Sequence, residues 1–167
     1  NEKCCSSCAR IRPPLDPLQN IDLDSISPSD LALHLAHDMP AADVDHLYMY
    51  AIVPSSLEMP PGKLSAQTGH AYGDSFEVAK QIDPERAERY RNHAYGGSKV
   101  SLKAKNQSQL IKAFSQARAM GLPCALVIDR HHVMPPHFDG SPILTALGIG
   151  PCTKAEAKEL TKKFQCL

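Results

Sequence analysis

The chain has 167 residues, 43% hydrophobic and 22% charged, enough to bury a substantial core in one domain with an appendage. No apolar run is long enough to span a bilayer and no basic start precedes an apolar core, which excludes a helical membrane span and predicts a cytoplasmic address. The 18 basic and 18 acidic side chains cancel but separate along the chain: residues 1–46 carry three basic and eight acidic groups (−5), residues 47–167 fifteen and ten (+5). A basic body suits a polyanionic partner without requiring one.

The chain opens on "CCSSC", with Cys4, Cys5 and Cys8, while Cys124, Cys152 and Cys166 are scattered. Two adjacent cysteines plus one form an incomplete ligand pattern, so reduced thiols on a disordered arm are expected. Residues 9–28 mix Pro and Asp with isolated aliphatics and show no period, as a linker does. In "SPSDLALHLAHDM" Ser27 is the N-cap, Pro28 the first helical residue and Asp30 the reciprocal partner of the cap. Leu31, Leu35 and Met39 repeat at four, which predicts a short amphipathic helix ending before Pro40. His34, His37 and Asp38 share a region of it, but with no further ligand nearby no metal site is expected. Residues 1–45 therefore read as an acidic N-terminal arm with a short helix, and residues 46–167 as an α/β domain.

"HLYMYAIVP", stopped by Pro54, is the first core strand. After the loop "SSLEMPPG" a helix begins behind Gly62. It carries Lys63, Gln67, His70 and Asp74 on one side and Leu64, Thr68, Ala71, Ser75, Val78 and Ile82 on a packing side. Taken alone, such a polar stripe suits a solvated face as well as chemistry. "DPERAERYRNH", with Asp83 as cap and Pro84 first, is mostly charged and predicts a solvated helix. In "KVSLKAK" Val100, Leu102 and Ala104 alternate with Lys99, Ser101, Lys103 and Lys105. This is a half-exposed strand whose lysines serve either phosphate binding or edge protection.

"NQSQLIKAFSQARAMGL" predicts a helix capped by Asn106, with Leu110, Ile111, Phe114, Ala117 and Met120 inward and Gly121 ending it. "PCALVID" is a nearly continuous apolar strand, as burial on both faces requires, with Cys124 a small buried hydrophobe. Residues 130–142, "RHHVMPPHFDGSP", are expected to be irregular. "ILTALGIGP" is a fourth strand, and "TKAEAKELTKKF" a final helix capped by Thr153 with Glu156. Four strands interleaved with helices predict a three-layer α/β domain. Ligands of open α/β sheets gather at the carboxyl ends of strands. Asp129 ends one strand and Lys63 starts the helix after another, at its positive end, so two distant segments are expected to converge on one polar crevice.

The segment "MPPGKLSAQTGHA" resembles the motif of the archaeal and eukaryotic type of peptidyl-tRNA hydrolase, Pth2. That motif is Gly-Lys, two residues, Ala-Gln, two residues, His-Ala, matched by Gly62, Lys63, Ala66, Gln67, His70 and Ala71. "TALGIGP" resembles the family's Thr-Val-Leu-Gly-Ile-Gly-Pro segment with Thr145 at its threonine, and Asp129 falls on the aspartate that closes the preceding strand. The likeness spans about residues 47–167. It implies a three-layer α/β/α fold with a mixed four-stranded sheet, often a homodimer. The implied activity is hydrolysis of the ester joining a peptide to the terminal ribose of tRNA. Peptidyl-tRNA is the implied partner, with no cofactor or metal.

On this chain the resemblance implies that Lys63 holds phosphate or stabilises developing negative charge, and that His70 and Asp129 handle a proton or orient water. Thr145 joins them as a catalytic-site residue that positions substrate together with Gln67, while Gly62 and Lys99 supply further substrate contacts. The chain departs from the family pattern in two places. Pro61 stands where a second lysine gives Lys-Gly-Lys, and Asp129, Arg130, His131, His132, Val133 stand where the family has Asp-Ala-Gly-x-Thr, with additional residues before Thr145. His131, His132 and His137 either replace the lost donors or decorate a solvent loop. Two other readings use the same fold: a non-catalytic module binding tRNA or a protein, and a hydrolase for a different small ester or amide.

Overall fold

A computed structural model describes residues 20–37, 46–92 and 97–167. Cys4, Cys5, Cys8, Asp38 and Met39, and the side chains of Leu35 and His37, lie outside the described residues. The chain divides into two units, Asn1–Asp43 and Val44–Leu167. In the first, helix α1 (Pro28–His37) starts where its local signals place it. The Ser27 hydroxyl accepts the Asp30 N–H at 3.1 Å and donates to the Asp30 carboxylate at 2.6 Å. Pro28 sits where a missing N–H costs nothing.

In the second unit the elements are β1 (Leu47–Pro54), α2 (Pro61–Ile82), α3 (Pro84–Asn92), β2 (Ser98–Ala104), α4 (Gln107–Ala119) and β3 (Cys124–Asp129). They continue with β4 (Val133–Met134), β5 (Phe138–Asp139), β6 (Ile143–Thr153), α5 (Lys154–Thr161) and β7 (Gln165–Cys166). The main sheet has the order β3-β6-β1-β2-β7. β1 and β2 are parallel, and β6 runs antiparallel to both β1 and β3. The carboxyl ends of β1, β2 and β3 therefore share one rim with the start of β6.

The sheet is mixed, as expected, but has five strands rather than four. The added strand β7 is two residues long, pairing Leu102 with Cys166 and Lys103 with Gln165. An alternation cannot be read from two residues. The segment 130–142 also differs from the irregular loop predicted for it: β4 and β5 pair as a small antiparallel ribbon, Val133 with Asp139 and Met134 with Phe138. Its prolines occupy the turn, where no ladder N–H is needed.

Alternation along β1 feeds two cores. Tyr50 and Ile52 pack with Leu110, Ala113 and Ala117 of α4 and with Ala157 and Leu160 of α5. Ala51 and Val53 face Ala71 of α2. Helices thus cover both faces, giving three layers. Ile111 on α4 and Met120 just after it are exposed rather than inward; the face α4 buries is that of Leu110, Ala113 and Ala117. β3 lies at a sheet edge and leaves Ile128 exposed, so its apolar run does not mark burial on both faces. α3 is not simply solvated: Ala87 and Tyr90 are buried, and Arg86 bonds Asp83 and Glu156.

One contact sets the position of α2. A Cβ on Gly148 of β6 would lie 2.0 Å from the Ala71 carbonyl oxygen. The helix backbone therefore rests directly on the strand at a place that only glycine allows. Ser75, a turn further on, donates to the Gly150 carbonyl at 2.6 Å. The predicted packing stripe holds through Thr68, Ala71 and Ser75 but not at Ile82, which is 56% exposed at the helix end. Gln67, expected on the polar side, is buried with that stripe.

Candidate active site

β1 ends at Pro54, a short 3-10 turn follows over Ser55–Leu57, and α2 begins. Pro60 is its N-cap and Pro61 its first residue, so the helix starts before Gly62 rather than behind it. The proline standing where the family pattern has lysine has a local reason: its ring presets the helical φ and removes an N–H that would have no partner. A Cβ on Gly62 would meet nothing within 4 Å, so the first turn is open above this residue.

Lys63 points from this turn to the end of β3, where its Nζ donates to Asp129 Oδ2. The two side chains are only 12% and 16% exposed. The Phe138 ring of the β4–β5 ribbon lies on the other side, its centroid 5.0 Å from Nζ. The ammonium is thus clasped between a carboxylate and an aromatic face, a partly dry setting that strengthens both attractions. His132 meets Phe138 edge-on at 5.7 Å, and His137 Nε2 lies 3.4 Å from the Glu58 carboxylate. His131 adopts a left-handed φ of 63° and donates its backbone N–H to the Gly140 carbonyl.

One turn along α2, Gln67 meets Thr145. The Thr145 hydroxyl donates to Gln67 Oε1 and lies 3.3 Å from the Val127 carbonyl. The register explains how a strand residue reaches the helix here. Val127 pairs with Ala146 and Ile128 with Leu144, so Thr145 is the extra residue of a β-bulge. Bulges re-aim side chains in this way. Thr145 has no exposed surface. Its contact is with Gln67, whose amide oxygen it engages, leaving the amide nitrogen as that side chain's donor.

The structure joins Lys63 to Asp129 and Gln67 to Thr145, four residues from three segments that the sequence motif had singled out. It does not bring His70 into these contacts; His70 and Asp74 are exposed on α2. Lys99 is exposed on β2 with its Nζ 5.4 Å from the Tyr90 ring centre. Phe138, 2% exposed, is the site residue that sequence reasoning missed. The one available signal was a lone phenylalanine in a segment rich in His and Pro. The buried thiols offer no nucleophile, since burial raises the pKa of Cys124 and pushes Cys152 up to about 12. Among the described residues no group of three or more His, Cys, Asp or Glu could hold a metal ion.

Comparison with known proteins bears on this arrangement. Residues 47–167 match the family model described as "Peptidyl-tRNA hydrolase PTH2". The chain is 36% identical over 124 residues to a protein named peptidyl-tRNA hydrolase from Methanococcus maripaludis, covering 72% of this chain and 100% of the relative. It is 31% identical over 119 residues to one of the same name from Methanocaldococcus jannaschii, covering 71% and 98%. A bovine relative named "Peptidyl-tRNA hydrolase 2, mitochondrial" is 34% identical over 105 residues, covering 62% of this chain and 54% of the relative.

Proposed function

Because the chain belongs to the peptidyl-tRNA hydrolase PTH2 family, we propose that it hydrolyses the ester bond of peptidyl-tRNA at the rim where α2 meets β3 and β6. The observation that carries the placement is the Lys63–Asp129 pair, which is largely covered and sits one helical turn from the Gln67–Thr145 pair.

In this reaction water oxygen bonds to the acyl carbon, negative charge builds on the carbonyl oxygen, and the carbon–oxygen bond to the ribose breaks. The electron pair leaves with the ribose oxygen, which takes a proton. Each residue fits one part of that sequence. Lys63, held in a partly dry setting, stabilises the oxyanion more than a freely solvated lysine would. Asp129 binds Lys63 through Oδ2, and its other oxygen orients the attacking water and accepts its proton. The Gln67 amide nitrogen donates to the substrate, with Thr145 as its positioning residue. The open first turn of α2 at Gly62 presents backbone N–H groups to the terminal nucleotide. His70 and Lys99, both exposed, contact the RNA rather than the reacting atoms.

Turnover of an N-acetyl-aminoacyl-tRNA tests this reading. The protein is expected to release the acyl group, and Asp129→Asn to lower kcat by about a hundredfold or more, the usual scale for a positioned base or charge stabiliser. Equal turnover by the variant overturns the assignment. Binding of tRNA without release by the unaltered protein favours the non-catalytic module.

A further inference from the structure

The rim that carries the active site holds a second polar feature at the far end of the sheet. Lys103 at the end of β2, Lys105 in the turn before α4 and Lys163 between α5 and β7 surround a concave pocket of about 280 Å³, together with Ser55 and Gln165. Neighbouring polar groups are already bonded to one another. Ser55 Oγ donates to the Ala104 carbonyl at 3.0 Å, and the Lys105 backbone N–H donates to Gln109 Oε1 at 2.7 Å. Among the described residues Lys163 Nζ meets a neutral acceptor, Gln116 Oε1, at 3.2 Å, and the ring of Phe164.

Among the described residues none of these three lysines forms an ion pair, whereas Lys63, Lys80 and Lys162 each meet a carboxylate. Three lysines lining one small pocket place like charges near one another, and an anion in the pocket reverses the sign of that interaction. Edge protection does not account for Lys103, because β7 covers the strand there and pairs Gln165 with it.

We infer that this pocket is a backbone-phosphate subsite for the tRNA strand whose 3′ end lies at Lys63 and Asp129, an inference that rests on the hydrolase reading above. β3 and β2 are three strand positions apart in the sheet. At the usual strand spacing that is about 14 Å along the rim. A stacked strand advances 3.4 Å per nucleotide, so the pocket meets the backbone about four nucleotides behind the acylated one. Contacts of this kind are blind to sequence and fix register. They let one enzyme accept many tRNAs while placing each ester at the same point.

The test combines Lys103→Gln, Lys105→Gln and Lys163→Gln in the full chain and compares two substrates. One is N-acetyl-aminoacyl-tRNA; the other is N-acetyl-aminoacyl-adenosine, which keeps the ester and the terminal ribose but has no phosphates. With tRNA the triple variant is expected to raise KM about tenfold or more at near-unchanged kcat. The slope of log affinity against log salt becomes shallower by about two, as losing three single-strand phosphate contacts requires. With the adenosine ester kcat/KM stays at the unaltered protein's value. An unchanged KM for tRNA, or the same loss on both substrates, overturns the subsite. If the unaltered protein hydrolyses neither substrate, the hydrolase reading fails separately. The Kd for uncharged tRNA then decides the pocket: weaker, less salt-dependent binding by the variant supports it and equal binding overturns it.

Discussion

Thr145 has no exposed surface, yet its hydroxyl fixes the Gln67 amide by donating to its oxygen. Thr145→Val keeps the side-chain shape and deletes the donor, leaving a buried carbonyl oxygen unsatisfied and the amide free to turn over. The expected cost is about 1–3 kcal/mol of stability, with a lower kcat and little change in KM. Thr145→Ser, which restores a hydroxyl, should recover most of the rate. Denaturant unfolding and steady-state kinetics on the same two variants check this; a Val variant with unaltered kcat contradicts the positioning role. Lys63 shows the same economy of contacts. Its charge is committed to Asp129 and to the Phe138 ring, the arrangement on which the proposed oxyanion role rests.

At the scale of elements, the close approach of α2 to β6 carries the site. Gly148→Ala would drive a methyl group to 2.0 Å from the Ala71 carbonyl, forcing the helix off the sheet and moving Lys63 and Gln67 with it. A loss of about 1–3 kcal/mol and a fall in kcat are expected. Gly62→Ala meets open space and should instead stabilise the helix by up to about 1 kcal/mol. Denaturant melts that fail to separate these two glycines contradict the packing argument.

A second element contact ties α3 to α5. Arg86 Nη1 and Nη2 donate to the Glu156 carboxylate at 2.9 and 3.0 Å, and Thr153 N–H donates to the same group at 2.8 Å. Burial pushes the Glu156 pKa up, but the hydrogen bonds from Arg86 and Thr153 outweigh it and hold the carboxyl below its ordinary value of 4.5. A carboxylate depressed in the folded state contributes stability that is full above the unfolded value and disappears as pH falls through the folded one. Glu156→Gln should therefore melt lower than the unaltered protein at pH 7. The gap should narrow once pH falls below the ordinary glutamate range and close as pH drops through the lower folded value. A gap independent of pH contradicts the ionised pair.

The caps were legible in the sequence because they are local: Ser27 with Asp30, Asn106 with Gln109 and Thr153 with Glu156 each bond within three residues. That Lys63 and Gln67 lie near one another was legible through their spacing of four on one helix, but the burial of Gln67 was not. Nor was Phe138, because it belongs to a ribbon too short to show a period and is buried only by contacts from distant segments. β7, two residues long, escaped for the same reason, whereas Ile111 has the helical spacing of an inward residue yet is exposed on α4.

At the scale of the whole molecule, the sheet order places three separately encoded strand ends on one rim, with the Lys63–Asp129 pair at β3 and the lysine pocket at β2. The +5 balance of residues 47–167 is thus distributed around a surface with distinct tasks. One cation, Lys63, is covered and ion-paired, and among the described residues Lys103, Lys105 and Lys163 form no ion pair. The central claim is that Lys63 and Asp129 act as one catalytic unit on peptidyl-tRNA. A double-mutant cycle read by single-turnover release from N-acetyl-aminoacyl-tRNA tests it most directly, using Lys63→Ala, Asp129→Asn and the two combined. The account predicts that each single change lowers the rate by about a hundredfold or more and that the double variant is little worse than the weaker single one. Rate losses that multiply, or either single variant retaining the full rate, would contradict it.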